Sequence, residues 1–264
     1  MTAETLHTFA VLGYKESPYI TECIESLQRQ TLRSKIIIST STPSAFLDQL
    51  ARRYGVGLMH NEKGGGIGAD WTFAYQCADS QFVTLAHQDD IYYPGYTETC
   101  LSATLRTPES LIVFADYDEL HGNTLRKRTL NMIIKKIMMS GFYTINQSVH
   151  SGFLKRGMLT LGSPIACPSV MFNKKMIGQF AFAEDFSVSL DWEAWLRLSR
   201  QRGAFAYVKK RLRAHRIHAG SQTTSCIRND QRRNEDRMIF EQLWPKPIAR
   251  MLANLYAWSY QSNE

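Results

Sequence analysis

No stretch of about 18 consecutive apolar residues occurs in the chain, so a bilayer-crossing helix is not expected. The first residues, Met1-Thr2-Ala3-Glu4-Thr5, carry an acid where a secretory leader has a basic segment followed by an apolar one. A cytoplasmic protein is expected. Cysteine is scarce: Cys23, Cys77, Cys100, Cys167 and Cys226 are odd in number, dispersed and never spaced as CxxC, which argues against a disulfide framework and a zinc site. Low-complexity tracts and repeats are also missing, which excludes disorder and solenoids.

What is present is a chain of 264 residues, 44% hydrophobic and 11% aromatic, enough for a substantial core in one domain with a decorated C-terminal part. A formal net charge of +7 favours a polyanionic partner: nucleic acid, anionic headgroups or a phosphate-bearing substrate. Much of the excess lies in two patches, Arg126-Lys127-Arg128 through Lys135-Lys136, and Lys209-Lys210-Arg211 with Arg213.

Apolar runs at Phe9-Ala10-Val11-Leu12, Lys35-Ile36-Ile37-Ile38 and Val56-Gly57-Leu58-Met59 read as strands. Between them, Ile20, Cys23, Ile24 and Leu27 have helical spacing, and residues 44–50 also look helical. The alternation implies a mostly parallel α/β sheet flanked by helices. A glycine cluster at 64–68 precedes a helix over 69–77. Phe82-Val83-Thr84-Leu85-Ala86 is then a buried strand that delivers His87-Gln88-Asp89-Asp90 to the sheet's ligand-binding edge. Leu111-Ile112-Val113-Phe114-Ala115 is another strand, closing on Asp116. Residues 121–160 read as a mobile amphipathic excursion, 191–201 as a helix anchored by Trp192, Trp195 and Leu196, Phe205-Ala206-Tyr207-Val208 as a strand, and 229–260 as closing helices broken near Pro245 and Pro247.

Adjacent carboxylates after a buried strand suit Mg²⁺ or Mn²⁺ shared with a diphosphate, although Asp-Asp before Ile-Tyr-Tyr-Pro-Gly could simply open a turn. An ordered set runs through the chain: Gly13-Tyr14, Ser26-Leu27 with Gln30-Thr31, Asn61, the glycine-rich turn, Asp89-Asp90 and Pro94. It continues through Pro168-Ser169-Val170-Met171-Phe172, Leu190-Asp191-Trp192-Glu193-Ala194-Trp195 and His215-Arg216-Ile217-His218, with Ser221 and Thr223 after it. As a set it resembles family 2 glycosyltransferases.

The resemblance implies a GT-A fold over residues 1–228, with a nucleotide-sugar-binding half at 1–116, an acceptor and catalytic half at 117–228, and a helical extension at 229–264. It makes Asp89, with Asp90 beside it and His218 completing the site, the holder of a divalent cation, and Asp191 the catalytic base. Gly13, Tyr14, Thr40, Asn61, Gly68, Asp70, His87, Asp89 and Asp90 become the nucleotide-sugar contacts. Two departures stand out: His87 replaces the usual first Asp of the metal-binding element, and Ser39-Thr40-Ser41 replaces an acid that usually meets the nucleotide base.

Several residues keep a second reading. Asp70 either contacts the nucleotide or caps its helix, Asp191 either takes a proton or caps, and His215 and His218 are ligands or surface residues. Glu193 and Glu184-Asp185 are the alternative bases, and Cys167 reads as a small buried residue. The expected activity is inverting transfer of a sugar from a nucleotide sugar to a hydroxyl of a glycan or lipid-linked acceptor, in surface-polysaccharide assembly with peripheral contact at the inner membrane face. A nucleotidyltransferase is the rival enzyme, but the phosphate loop it would carry after the first strand is missing. A basic binding module is the other rival, and no nucleic-acid-binding signature supports it, so no nucleic-acid partner is expected.

Overall fold

The computed structural model describes residues 3–143, 147–218 and 231–261. Ten strands are described: β1 (His7–Gly13), β2 (Lys35–Thr40), β3 (Gly57–His60), β4 (Phe82–His87), β5 (Ile91–Tyr92), β6 (Ser110–His121), β7 (Thr124–Arg126), β8 (Ser148–Val149), β9 (Val170–Asn173) and β10 (Ala204–Ile217). They form one sheet in the order β3-β2-β1-β4-β9-β6-β10-β5, with β7 on β6 and β8 on β10. β1 to β4 pair in parallel, as the apolar runs imply, and β1 is covered on both faces.

The helix Ile20–Gln28 buries its apolar stripe at Ile20, Cys23, Ile24 and Leu27. In the helix Ala45–Tyr54, the Ser44 hydroxyl accepts from the Leu47 N–H at 3.3 Å, and Gly55 ends the helix in the left-handed region. Gly64, Gly65 and Gly66 all have positive φ, at 59°, 110° and 88°, before the helix Ile67–Cys77, so this loop needs glycine.

The second half departs further from the sequence reading. β9 inserts antiparallel between β4 and β6, with Val170, Met171 and Phe172 fully buried. β6 does not close on Asp116 but continues to His121. β10 is 14 residues long and carries Lys209-Lys210-Arg211 and Arg213 inside it, with register shifts against β6 around Arg211. Residues 121–160 hold β7, the helix Leu130–Ser140, β8 and the helix Gly152–Gly157.

The expected C-terminal helices are Gln231–Leu243 and Lys246–Gln261, and their Ile239, Phe240, Ala249 and Ala253 join the core that contains Trp192 and Trp195. The Phe240 and Trp192 rings meet edge to face at 4.9 Å. These packings fix the helix Leu190–Ser199, whose Asp191 lies in its first turn.

Candidate active site

The turn after β4 is tight: the Asp90 N–H donates to the His87 carbonyl at 3.1 Å. Its two carboxylates then part company. Asp90 is fully buried; its Oδ2 pairs with Arg213 Nη1 at 2.5 Å, while Oδ1 meets His215 Nδ1 at 3.0 Å and accepts from the Arg216 N–H at 3.2 Å. Burial alone would raise the Asp90 pKa, but Arg213 and His215 outweigh it and hold the carboxyl well below the usual range. Asp89 stays partly exposed, with Oδ2 at 3.0 Å from His218 Nε2 and its carbonyl accepting from Arg216 Nε at 3.1 Å. Strand alternation sorts the partners: Arg213 and His215 share one parity and engage Asp90, whereas the side chains of Arg216 and His218 share the other and engage Asp89. His87 is kept neutral by burial, against the pull of Asp90 and Asp89, and its ring lies 5.1 Å from Trp71. Among the described residues its Nε2 has no hydrogen-bond partner.

Neighbouring loops converge on this turn. Gln88 ties the loop after β1 to it, accepting from the Tyr14 N–H at 3.0 Å and donating to the Tyr14 carbonyl at 3.1 Å. Gly13 ends β1 so close to Ile38 that a Cβ would meet its methyl at 3.1 Å. At the ends of β2 and β3, Asp70 accepts from Ser41 Oγ and Asn61 Nδ2, both at 2.7 Å, and the Thr40 carbonyl accepts from the Asn61 N–H. Asp70 therefore does not cap its helix; Gly66 holds that position. A Cβ on Gly68 would approach the Ala183 carbonyl oxygen to 2.6 Å, so this glycine allows the helix to lie against the loop leading to Asp191.

Asp191 does not cap either. Ser189 stands at the cap, and Asp191 Oδ1 accepts from the adjacent Trp192 N–H at 2.7 Å. The segment leading into the helix is held by the buried Glu235, which accepts from the N–H groups of Ser187, Val188 and Ser189, each at 2.9 Å, while Ser189 Oγ donates to Asp236 at 2.7 Å. Beyond the other end, the buried Lys155 ammonium donates to the carbonyls of Gln201 and Gly203, both at 2.7 Å. Burial pushes the Asp191 carboxyl up to about 6, although Lys135 pulls the other way. Of the alternative bases, Glu193 is engaged by Arg197 at 2.9 Å, and Glu184 and Asp185 are exposed.

A family model described as glycosyl transferase family 2 matches residues 8–178. The chain belongs to glycosyl transferase family 2. It is 22% identical over 233 residues to an uncharacterized glycosyltransferase of Rickettsia typhi, covering 86% of this chain and 68% of that protein. Its fold is similar to that of S. aureus TarS: the structure of TarS 1–349 in complex with UDP-GlcNAc matches with a TM-score of 0.60 at 15% identity, over 83% of this chain and 61% of that one. Another TarS 1–349 structure matches with a TM-score of 0.58 at 14% identity, over 80% of this chain. The chain spans 60% of the length of that TarS fragment. The GT-A fold expected from the sequence is thus present.

Among the described residues, no group of three or more His, Cys, Asp and Glu side chains forms a self-sufficient metal cage. This family 2 site offers Asp89 and His218 at one edge, a donor pair that suits a hard cation completed by diphosphate oxygens and water. Asp90 turns away from that edge, with both oxygens engaged. Ser221, Thr223 and Cys226 lie outside the described residues. Sequence reasoning missed Arg213, Arg216 and Glu235. Period-two alternation through 213–218 was the available signal for the arginines, whereas nothing local marked Glu235.

Asp90→Ala should cost roughly 3–5 kcal/mol, because Arg213 is left as an unpaired buried cation. Pairing depresses the Asp90 pKa, so its stabilisation is present above about pH 4 and is lost as pH falls further. Chemical denaturation of both proteins at pH 7 checks the cost, and a loss under about 1 kcal/mol would make the pair dispensable.

Proposed function

We propose that the chain transfers a sugar from a nucleotide-sugar donor to a hydroxyl of a glycan or lipid-linked acceptor, with inversion at the anomeric carbon, in surface-polysaccharide assembly. The carrying observation is Asp191: a carboxyl near pKa 6, on a helix held by buried charges around both ends, is suited to accept a hydroxyl proton at neutral pH. In this reading residues 1–116 bind the donor, 117–228 seat the acceptor, and the helices beyond 229 hold Asp191 in place. The Asp70, Asn61, Ser41 and Thr40 cluster takes the nucleoside, Gly13 and Tyr14 border it, and His87, whose buried Nε2 has no hydrogen-bond partner among the described residues, is assigned to the diphosphate or sugar. Asp89 and His218 would hold a divalent cation, Mn²⁺ or Mg²⁺, which when bound supplies positive charge to the leaving diphosphate. Asp90 is assigned to orienting that edge. A uridine diphosphate sugar is the first donor to try, since a TarS structure holds UDP-GlcNAc.

The reading includes peripheral contact with the inner membrane face. Leu130, Ile133, Ile134 and Ile137 form an exposed stripe at helical spacing, flanked by Lys127, Arg128 and Lys136. No described helix is long and apolar enough to cross a membrane. Ile133→Glu with Ile137→Glu should abolish sedimentation with anionic vesicles at low salt; unchanged sedimentation removes the contact.

Asp191→Asn should keep the nucleotide affinity while transfer falls by roughly two to four orders of magnitude. The wild-type rate should decline tenfold per pH unit below about 6, where Asp191 becomes protonated. Because folding raises this acid's pKa, its ionisation destabilises the fold as pH rises from about 4 to 6, so the Asn variant should melt no lower than wild type at pH 7. Transfer above about a tenth of the wild-type rate would shift the role to another residue.

A further inference from the structure

A cleft of about 360 Å³ lies between the helix Leu130–Ser140 and β6, outside the donor edge. Its cations are Lys127, Arg128, Lys135, Lys136 and Arg211, and Asp116 is the one carboxylate in its lining. The charges do not cancel. Asp116 Oδ1 accepts from the Tyr207 hydroxyl at 2.5 Å, and its Oδ2 is 3.9 Å from Lys136. Arg211 pairs with Asp118 at 3.0 Å, whereas Lys127 and Arg128 have no ion-pair partner among the described residues. Four cationic side chains thus line the cleft with one carboxylate that a tyrosine already engages, and of the four only Lys135 also reaches a second, Asp191, electrostatically. The remaining wall includes Met132, Ile133 and Met139, continuous with the exposed stripe on the same helix.

The cleft adjoins both halves of the site. Lys135 donates to the Tyr117 hydroxyl at 3.2 Å and acts electrostatically on Asp191. The Tyr117 ring has the Lys135 ammonium 5.5 Å from its centroid and the Arg213 guanidinium at 4.7 Å, and Arg213 is the residue that pairs with Asp90. An anion in the cleft would therefore sit within reach of Lys135, a cation that also acts electrostatically on the carboxyl that is to take the acceptor's proton.

We propose that this cleft binds a phosphate group of the acceptor, as a monoester or diester, and so presents the neighbouring hydroxyl to Asp191. The inference rests on the transfer reading and narrows the acceptor class from any glycan to a phosphate-bearing one. Clustered ammonium groups with one guanidinium suit a phosphate, whose several oxygens can each accept a charge-assisted bond. The phosphate can belong to a soluble phosphodiester or to a lipid-linked carrier, and the Met132, Ile133 and Met139 wall offers the latter a place for its first methylenes.

The test is calorimetry on the full chain, with UDP and Mn²⁺ added first to occupy the donor edge. The titrants are glycerol 3-phosphate, farnesyl phosphate below its micelle concentration, farnesol and glucuronate. Both phosphates should bind, and Lys127→Gln with Arg128→Gln, two exposed positions, should weaken them about tenfold or more without changing UDP affinity or the melting temperature. Asp89→Ala should do the reverse. Tighter binding of farnesyl phosphate than of glycerol 3-phosphate identifies the lipid-linked source, and equal binding the soluble one. Phosphate binding unchanged in the double variant, or glucuronate binding as well as the phosphates, overturns the proposal. Failure of the transfer reading looks different: Asp191→Asn would then transfer normally while phosphate binding and its loss in the double variant persist.

Discussion

A carboxylate with no exposure to water cannot stay ionised inside a protein unless cations come to it. Asp90 is such a group, and the chain answers with Arg213, His215 and the Arg216 amide, all from one strand. That requirement draws β10 onto the turn after β4. Once the strand is there, alternation places the Arg216 and His218 side chains toward Asp89, and Arg213 over the Tyr117 ring. The same ion pair thus sets the edge that carries Asp89 and His218 and, through the Tyr117 ring, touches a wall of the basic cleft.

The helix that bears Asp191 depends on a second arrangement of buried charge. Glu235 collects three N–H groups ahead of the helix that bears Asp191, and Lys155 collects two carbonyls after it. A carboxylate before the N-terminal end and an ammonium group beyond the C-terminal end both have the sign that the helix dipole favours. Trp192 and Trp195 fix the rotation of this helix by donating from Nε1 to the carbonyls of Leu159 and Ile165, each at 3.1 Å. The pKa of Asp191 is raised chiefly by desolvation, and the helix Gln231–Leu243 reaches it electrostatically through Arg232 and Asp236.

The first half of the fold was legible because apolar runs buried on both faces announce parallel strands, and β1, β2 and β4 each carry one. Asp89-Asp90 at a strand end and the tryptophan anchors beside Asp191 were readable for the same reason, since each sits at a fixed offset from an apolar segment. β10 was cut short because Lys209-Lys210-Arg211 looks like a solvated loop; only the buried acid on β4's turn, 123 residues away, explains why Arg213 continues the strand. The different fates of Asp89 and Asp90 were likewise invisible, since adjacent identical residues carry no mark of which one finds partners. Glu235 lies 46 to 48 residues from its amide partners along the chain, beyond any local pattern.

If Asp90 is structural and Asp89 with His218 faces the donor diphosphate, cation and substrate must meet on one side of the turn only. Anomalous diffraction at the manganese edge, from crystals of the full chain grown with a nucleoside diphosphate and Mn²⁺, observes this directly. The account predicts one peak, bonded to an Asp89 oxygen and to the diphosphate, with the Asp90 and Arg213 pair undisturbed. A peak bonded to Asp90 with Arg213 displaced, or diphosphate bound away from the end of β4, would contradict it.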